Sequence, residues 1–479
     1  MKTTYNYYFL CILLFLSITT NSFGQNKIGD IKIKEGERNI TNLSGALNDS
    51  VSFHLIINKL NENKTFKTSV VFFDFLGKSK TILVGESEKK PNYLTFHSNG
   101  NIITLTKLLE ESVLIQDIDY QNDNVSSTEL NGIPINIFSH KEITILNFSR
   151  SLDLAFIRSS KDVQRNKARF SPGFNRRNFV NPDFNNTDFI DDTKFIVKGS
   201  IKRFKAFYQD DQLVIINDFK ERGVVNIIFV SPDGILSSKD FEVSTKGKVK
   251  KLSSFIKNNL LFSFCMQKDL SQLSIYDLND LGKKKSFEYD LNDFGTFNKV
   301  VVNGNKKSME TLNSKRFLRS FFPQSVGSAY NPELYLSVNK TIESGYIIEV
   351  GHVDKNTYNN PNSGNFWWGN PAFQEQLTIS RDKTQSANLS AVAGMAKLFI
   401  FNALVQNKRA GNYFELYLDN DLSPFEEKFV YEYEEFDTEK YKNRYEGVFK
   451  LRRNFFIPIN GKVRVINFEK NYYSIYDID

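Results

Sequence analysis

The chain has 479 residues, of which 40% are hydrophobic and 24% are charged, and its formal net charge is +7. This composition is typical of a globular protein and excludes an intrinsically disordered chain. The small positive charge is spread along the sequence. Its longest basic run, residues 246–251, contains no aromatic residue, so we expect no nucleic-acid partner.

Residues 1–24 show the order of features found in a secretory signal peptide. Lys2 is the only charged residue here, an apolar run covers residues 9–18, and small residues stand at positions 22 and 24, just before Gln25. The apolar run is too short to span a bilayer comfortably. The sequence therefore predicts cleavage before Gln25 and an exported protein that is periplasmic, outer-membrane associated or extracellular.

The chain contains two cysteines, and neither indicates a function. Cys11 lies inside the apolar run with almost no hydrophobic segment ahead of it, so we do not expect a lipoprotein. Removal of the leader leaves Cys265 alone in an apolar segment, which excludes an intramolecular disulfide. A free cysteine in that setting is predicted to be a small buried hydrophobic side chain.

From residue 28 onwards, short apolar segments rich in Val, Ile, Phe and Tyr recur between turn residues, which is typical of β-strands. Long helical periodicity is almost absent. The segment 69–74 is predicted to be the second strand of a first unit. The later segments are predicted to pair as hairpins: 101–105 with 112–117, 141–146 with 152–157, 212–217 with 226–231, 259–264 with 272–277, and 462–466 with 473–477.

The second strand of a pair often ends in an aspartate, and the tetrapeptide Ser-Ile-Tyr-Asp occurs twice, at residues 274–277 and 474–477. A carboxylate at a strand end can accept hydrogen bonds from backbone N–H groups two residues further on and so start a turn. We therefore predict turn formers, and not catalytic groups, at Asp74, Asp117, Asp277, Asp419 and Asp477.

The spacing of these strand ends, 43 residues from Asp74 to Asp117, resembles the blade repeat of β-propellers in general. The resemblance is architectural, because no Trp-Asp blade ending, kelch glycine pair or other family motif is present. It implies an all-β propeller of about seven blades. Six or eight blades, or two β-sandwich domains, are the alternatives. The repeating units are predicted at 46–90, 91–131, 132–170, 200–246, 250–292, 330–435 and 445–479.

The last of these units lacks one outer strand, and residues 28–34 are predicted to supply it. Pairing the two chain ends in one blade would remove two exposed sheet edges. We accordingly expect residues 25–479 to form a single propeller-like domain, interrupted by insertions at 171–199, 293–330 and 355–410. In a repeat scaffold, insertions of this kind usually carry binding.

The first insertion sets regularly spaced phenylalanines among polar residues, which favours a loop anchored on a blade. Its aspartates supply oxygen ligands of the kind that calcium takes, at Asp183, Asp188, Asp191 and Asp192. Their spacing matches no EF-hand, and acidic loops are commonly solvated. We therefore expect neither a metal site nor a cofactor.

The third insertion contains both tryptophans of the protein and is predicted to hold the binding site, at Phe366, Trp367, Trp368 and Phe373. The Ala- and Met-rich stretch 386–405 is predicted to include a short helix, which is either packed as buried core or docks on a partner or, peripherally, on a membrane. The alternative for the tryptophans is that they pin the loop onto the protein's own surface.

The residue patterns of common catalytic sites are missing from the sequence. The four histidines stand at positions 54, 97, 140 and 352, none at metal-ligand spacing, and those at 54 and 97 lie in apolar segments typical of the core. The favoured function is an exported, non-enzymatic interaction module of the bacterial cell envelope, whose partner is an envelope protein or a glycan. The alternative is a carbohydrate-active hydrolase or lyase with a carboxylate pair at the ring centre.

Overall fold

The computed structural model describes residues 25–290, 299–302, 305–306, 332–341, 345–354, 413–424, 441 and 454–478. Short gaps interrupt these ranges at 141, 150–151, 173, 175–178, 183, 193–195, 197–198, 244–247, 268–269, 281, 460–461 and 470–471. The contacts of the chain divide it into two compact units. Unit 1 comprises Met1–Leu108, Leu114–Thr128 and Thr438–Asp479, and unit 2 comprises Leu109–Val113 and Glu129–Asp437.

Three four-stranded antiparallel sheets belong wholly or mostly to unit 1. Sheet 1 contains β2 (Glu37–Ala46), β3 (Val51–Leu60), β4 (Phe66–Asp74) and β5 (Ser79–Ser87). Sheet 2 contains β6 (Asn92–Asn99), β7 (Ile102–Leu108), β8 (Ser112–Asp119) and β9 (Asn124–Asn131). Sheet 7 has the strand order β1-β31-β30-β29 and joins the ends of the chain: β1 (Gln25–Lys32), β29 (Asn454–Ile459), β30 (Lys462–Glu469) and β31 (Tyr472–Ile478).

Four sheets belong to unit 2. Sheet 3 contains β10 (Asn136–His140), β11 (Ile143–Asn147), β12 (Asp153–Ile157) and β13 (Val163–Lys167). Sheet 4 contains β14 (Arg169–Phe170), β15 (Thr187–Phe189), β16 (Phe204–Gln209), β17 (Gln212–Phe219), β18 (Val224–Val230) and β19 (Ile235–Glu242). Sheet 5 contains β20 (Lys251–Lys257), β21 (Leu260–Met266), β22 (Leu270–Asp277) and β23 (Lys283–Asp290). Sheet 6 contains β24 (Lys299–Val302), β25 (Asn305–Lys306), β26 (Pro332–Thr341), β27 (Gly345–Asp354) and β28 (Tyr413–Leu418).

Two short 3-10 helices, Phe184–Asn186 and Lys220–Arg222, accompany these strands. Tight turns connect β16 with β17 in sheet 4 and β20 with β21 in sheet 5. Their central residues, Asp210–Asp211 and Asn258–Asn259, all have a positive φ, as two-residue hairpins that match the strand twist require. Among the described residues, none of the helices has the length and hydrophobicity needed to cross a membrane.

The middle strands of the sheets are buried along most of their length, whereas the last strands of sheets 2 and 3 are polar. β11 and β12 are buried at every residue, while β9 and β13 contain no buried residue. A strand that is covered on both faces shows a continuous apolar run and not an alternating one. This is why the hairpins were visible in the sequence as short apolar runs, and the paired registers confirm them.

Consecutive sheets pack face to face through shared hydrophobic cores. In unit 1, one core joins sheets 1 and 2 and another joins sheets 1 and 7. In unit 2, one core joins sheets 3 and 4, and a larger one joins sheets 4, 5 and 6. Small antiparallel sheets that follow one another along the chain and stack in this way make the fold all-β and propeller-like. The number of blades and the closure of a ring stay predictions, as does the single domain.

The predicted pairing of the chain ends is present in sheet 7. β1 runs antiparallel to β31 from Gln25↔Ile478 to Lys32↔Tyr472. The predicted start of the first unit at residue 46 was wrong, because β2 begins at Glu37 and pairs with β3. The second insertion, predicted at 293–330, contributes strands β24 and β25, and β24 pairs with β28.

Three of the five predicted turn-forming aspartates are confirmed. Asp74 accepts hydrogen bonds from the backbone of Leu76 and Lys78, and two further carboxylates, those of Asp277 and Asp419, each accept a backbone N–H at 2.8 Å. The prediction was wrong for the other two. Asp117 accepts the hydroxyl of Thr104 at 2.8 Å inside sheet 2, and Asp477 pairs with Arg464 inside sheet 7. Both carboxylates therefore lie within a strand and not at its end.

Candidate functional site

The binding site predicted at Phe366, Trp367, Trp368 and Phe373 lies outside the described residues, and so do the 355–410 insertion and the helix expected within 386–405. Their structure stays a prediction. The first insertion, in contrast, is largely described, and it brings together the polar groups discussed below. Its described residues between 187 and 200, called the crossing segment from here on, contact one strand in each of the four sheets of unit 2: β10, β16, β20 and β26.

The crossing segment begins as an added strand of sheet 4. Its first residues, β15, run parallel to β16 in the register Thr187↔Phe204 to Phe189↔Ala206. The hydrogen bond from Ile190 N to Ala206 O, at 2.8 Å, continues this pairing by one residue. Ile190 is fully buried, so the segment lies inside unit 2 and not on a solvated loop.

Sheets 5 and 6 contact later described residues of the crossing segment, mainly through polar groups. The amide of Asn339, on β26, bonds both backbone groups of Ile196: Ile196 N donates to Asn339 Oδ1 at 2.8 Å, and Asn339 Nδ2 donates to Ile196 O at 2.9 Å. Lys257, on β20, donates to the carbonyl of Asp192. Gly199 lies so close to β26 that an added Cβ would stand 1.9 Å from Leu336 O, which explains a glycine there.

Aromatic residues anchor the rest of the first insertion, as its sequence predicted. Phe174 and Phe179 pack their rings against each other, with centroids 5.1 Å apart, and both contact Phe170. Phe189 stacks on Phe138 of β10 and on Phe184, at 5.2 and 5.5 Å. These contacts hold the backbone before β15 and at its last residue, Phe189, just before the polar residues that follow it.

Sheet 3 contributes a histidine to the crossing segment. Nε2 of His140, the last residue of β10, lies 3.1 Å from Asp192 Oδ1 and 3.8 Å from Asp191 Oδ1. The three side chains are 6%, 11% and 17% exposed, and their ligand atoms lie within 4.8 Å of one another. Gln209 Nε2, at the end of β16, stands 3.4 Å from Asp192 Oδ2. This arrangement gathers one imidazole, two carboxylates and one amide at a single point.

The four aspartates considered as calcium ligands do not form one site. Asp188 is bonded by the hydroxyl of Ser200 and by Lys202 Nζ at 2.7 Å, whereas Asp191 and Asp192 face His140, and Asp183 lies outside the described residues. Asp188 lies within β15, whereas Asp191 and Asp192 follow the end of that strand at Phe189. Sequence spacing therefore suggested the residue types but not the grouping.

Other buried carboxylates of unit 2 are paired with cations. Asp218 is bonded by the fully buried Lys205, and it also accepts the backbone N–H of Ser254 at 3.2 Å. In sheet 3, Arg165 forms two hydrogen bonds with Asp153, and these bonds lower the pKa of the Asp153 carboxyl. These ion pairs connect strands and hold their charges in place, which is a structural use of a carboxylate.

A different pair of carboxylates lies on the face of sheet 6 that turns away from the shared core. Glu349 and Glu415 stand directly opposite each other on β27 and β28. The hydroxyl of Tyr335 donates to Glu349 at 2.5 Å, and that of Tyr417 donates to Glu415 at 2.8 Å. Burial and the adjacent Glu349 charge raise the pKa of Tyr335 well above its usual value, so this phenol stays a hydrogen-bond donor.

The histidines predicted to be core residues are buried, His54 fully and His97 at 2% exposure. The role of His140 was missed by sequence reasoning. The two aspartates that face it lie 51 and 52 residues further along the chain, in a segment without periodicity. The one available signal was its place at a strand end before a hairpin.

No family model matches the sequence, and no curated protein matches it. Among solved structures, the chain is similar to an uncharacterised protein from Listeria monocytogenes, with 9% identity and a TM-score of 0.29 over 55% of this chain and 70% of the other. A presumed exported protein from Bacteroides fragilis has 12% identity and a TM-score of 0.25 over 83% and 96%. A prolyl endopeptidase has 9% identity and a TM-score of 0.27 over 66% and 47%. With TM-scores this low, the fold assignment rests on the strand pairing within the chain.

Proposed function

We propose that this protein is an exported, non-enzymatic interaction module of the bacterial cell envelope. Its partner is an envelope protein or a glycan bound by the 355–410 insertion, with peripheral membrane contact through residues 386–405. Export is supported by the charge and hydropathy order of residues 1–24.

The observation that carries the non-enzymatic proposal is the crossing segment. A carboxylate pair for glycoside hydrolysis would need two acidic side chains facing a substrate. In unit 2, the described residues of the crossing segment lie against β10, β16, β20 and β26, and its acidic residues are engaged: Asp188 with Lys202, and Asp192 with His140. Carboxylates held in this way favour binding through loops over catalysis on these strands.

Binding through the third insertion is tested by removing it. Replacement of residues 356–408 with a short Gly/Ser linker should leave a folded protein that no longer crosslinks to its envelope partner in intact cells. Trp367→Ala with Trp368→Ala should weaken the same crosslink, because buried interface tryptophans contribute about 2 kcal/mol or more each.

The matched control is Phe75→Ala with Leu76→Ala, which removes two exposed apolar side chains from the turn after β4. This variant should retain the crosslink. An unchanged crosslink in the tryptophan variant would contradict the proposal. Export is tested separately, by N-terminal sequencing of protein recovered from the periplasm, and an intact Met1 there would contradict cleavage before Gln25.

A second function, polysaccharide cleavage, is favoured by the cross-strand pair of Glu349 and Glu415. Directly opposite residues on antiparallel strands have Cβ atoms about 4.5–5.5 Å apart, and a retaining glycosidase places its two carboxyl groups at a similar separation. The tyrosine hydroxyls on both carboxylates would hold them in position. The test is the release of reducing ends from a panel of soluble polysaccharides.

Turnover that is lost in Glu349→Gln and in Glu415→Gln, with unchanged circular dichroism, would establish this second function. Tyr93→Phe serves as the control, because this buried tyrosine donates a hydrogen bond to Gln116 inside sheet 2, whereas both glutamates belong to sheet 6. Absence of turnover in the wild type would leave the binding function as the better account.

A further inference from the structure

We propose that His140, Asp191 and Asp192 bind a divalent transition-metal cation of the zinc class, which fastens the crossing segment to sheet 3. This inference goes beyond the proposed function, because it concerns different residues and needs no partner. It also departs from the expectation, drawn from sequence spacing, that the protein binds no metal.

The geometry of the three side chains fits such an ion. Two ligand atoms that each lie about 2.1 Å from a tetrahedral zinc stand about 3.4 Å apart. Nε2 of His140 is 3.1 Å from Asp192 Oδ1 and 3.8 Å from Asp191 Oδ1, and these two distances bracket that value. The imidazole is nine-tenths buried and points at both carboxylates, so a cation between the three groups requires only small side-chain adjustments.

Gln209 provides a second and independent observation. Its Oε1 is a buried atom without a hydrogen-bond partner among the described residues, while its Nε2 lies 3.4 Å from Asp192 Oδ2. Rotation about the last bond of this amide exchanges its oxygen and nitrogen and would place Oε1 beside Asp192 Oδ2. Two oxygens this close repel each other without a cation and can share one, so Gln209 can act as a fourth ligand.

The ligand set selects the kind of metal. Imidazole nitrogen suits zinc and related transition metals, whereas calcium takes six to eight oxygen ligands. The cluster offers one nitrogen and a few oxygens, so zinc is preferred to calcium. The charges nearby also matter: Lys257 donates to the carbonyl of Asp192, and two carboxylates with one ammonium leave a net negative charge for the cation.

The experiment is a titration of the full-length protein, stripped with a chelator, with zinc chloride followed by calorimetry. Manganese and calcium chloride are titrated in parallel. The wild type should bind one zinc ion per chain, and zinc should raise its melting temperature. Calcium should bind far more weakly. Asp191→Asn and His140→Gln should each lower the zinc affinity by at least about 10-fold, which is the smallest loss typical even of outer-shell changes at metal sites.

The matched control is Asp188→Asn, which removes a carboxylate of the same segment that is paired with Lys202. This variant should bind zinc as the wild type does. Because His140 is buried, His140→Gln can fail to fold. The cobalt absorption spectrum of the wild type then decides, since a four-coordinate site with an imidazole ligand gives intense visible bands.

Three results would overturn the proposal: no zinc binding by the wild type, zinc binding that is unchanged in the folded Asp191→Asn variant, or a cobalt spectrum typical of a fully hydrated ion. Zinc binding lost equally in Asp188→Asn would also contradict it, because the affinity would then reflect general acidity of the segment. None of these results bears on partner binding through the 355–410 insertion, so the two proposals fail independently.

Discussion

The tetrapeptide Ser-Ile-Tyr-Asp occupies the same position in two sheets and serves two purposes. In sheet 5 it ends β22, and Asp277 stands opposite Leu260 on β21. In sheet 7 it lies in β31, and Asp477 stands opposite Arg464 on β30. The isoleucine of each copy is fully buried, so the apolar half of the pattern has one role in both sheets.

The two aspartates differ because the residues opposite them differ. Asp277 stands opposite an apolar side chain, and its carboxylate bonds to the turn that follows β22 instead. It accepts a hydrogen bond from Asn279 N at 2.8 Å and pairs with Lys284, which is 40% exposed. Asp477 faces the fully buried Arg464 and accepts two of its hydrogen bonds, at 2.8 and 3.0 Å. The same four residues therefore form a solvated turn in one sheet and a buried ion pair in the other.

Arg464 also joins sheet 7 to sheet 1. Its Nη1 donates to Ser52 Oγ and to the carbonyls of Phe73 and Asp74, at 2.9–3.0 Å. Sheet 5 has no guanidinium at the equivalent position, since Leu260 packs into the core of unit 2 instead. A further difference is the source of the fourth strand, which is β23 in sheet 5 but the N-terminal β1 in sheet 7.

The largest expected effect comes from removing that N-terminal strand. Deletion of residues 26–35 exposes the edge of β31 and removes the hydrogen bond from Ser474 to Asp30. The tetrapeptide in sheet 7 would then lie in an edge strand, whereas the tetrapeptide in sheet 5 stays covered by β23. The free energy of unfolding should fall by more than the ~3–5 kcal/mol typical of a broken buried ion pair. Urea unfolding measures it, and an unchanged midpoint would show that β1 adds nothing to sheet 7.

The pairing of β1 with the last sheet was predictable, because the final repeat was visibly one strand short and an alternating segment stood at the start. The hairpins were predictable for a similar local reason. The strand β2 was not, since its residues Glu37–Ala46 are mostly polar and its partner β3 supplies the apolar face. The role of Asp477 was also hidden, because it depends on Arg464, the residue that sheet pairing places opposite.

The same limit applies to the candidate site. The sequence indicated an aromatic-anchored insertion with four aspartates, and the anchoring is present. It gave no sign that the described residues of the crossing segment contact four sheets, because that placement depends on single contacts such as the one between Asn339 and Ile196. Local patterns predict strands, whereas contacts between distant segments determine which polar groups meet.

The next largest effect is expected from Arg464→Leu, which gives sheet 7 the residue type found in sheet 5. Asp477 would then be left without its partner inside the protein, and breaking a buried pair in this way costs about 3–5 kcal/mol. The double variant Arg464→Leu with Asp477→Asn should recover part of the loss, since no unpaired charge remains. Equal unfolding midpoints for the single variant and the wild type would mean that the ion pair contributes nothing.

A smaller, pH-dependent effect on stability is expected from His54, which contacts the residue just before the tetrapeptide in sheet 7. This residue, Tyr473, packs on the ring of His54 with the ring centroids 4.3 Å apart, whereas the apolar Leu273 precedes the tetrapeptide in sheet 5. Burial lowers the pKa of His54 from 6.5 to about 3. The unfolded chain then binds a proton that the folded chain does not, so stability is complete above pH 6.5 and falls as the pH drops towards 3.

Because of His54, the free energy of unfolding should fall by about 2 kcal/mol between pH 7 and pH 5. Below the pKa of this histidine in the unfolded chain, the fall is about 1.4 kcal/mol per pH unit. His54→Gln removes the titrating group, so its urea midpoint should fall less over the same interval. His352, whose pKa burial lowers to about 4, remains in both proteins and sets the common background. Parallel pH profiles for the two proteins would contradict the assignment to His54.

The smallest effect is expected from Asp277→Ala in sheet 5, the counterpart of Asp477. The change removes the hydrogen bond to Asn279 N and a solvent-exposed contact with Lys284, and it leaves no buried charge behind. A net loss of about 0.5–1.5 kcal/mol is typical of one such hydrogen bond. Lys284→Ala, its control, should leave the urea midpoint unchanged, because the turn and not the ion pair is the role of Asp277. A loss of stability in Asp277→Ala as large as that in Arg464→Leu would show that the aspartates of both tetrapeptides contribute equally to the free energy of unfolding. The residue opposite each aspartate would then not explain a difference between the two copies.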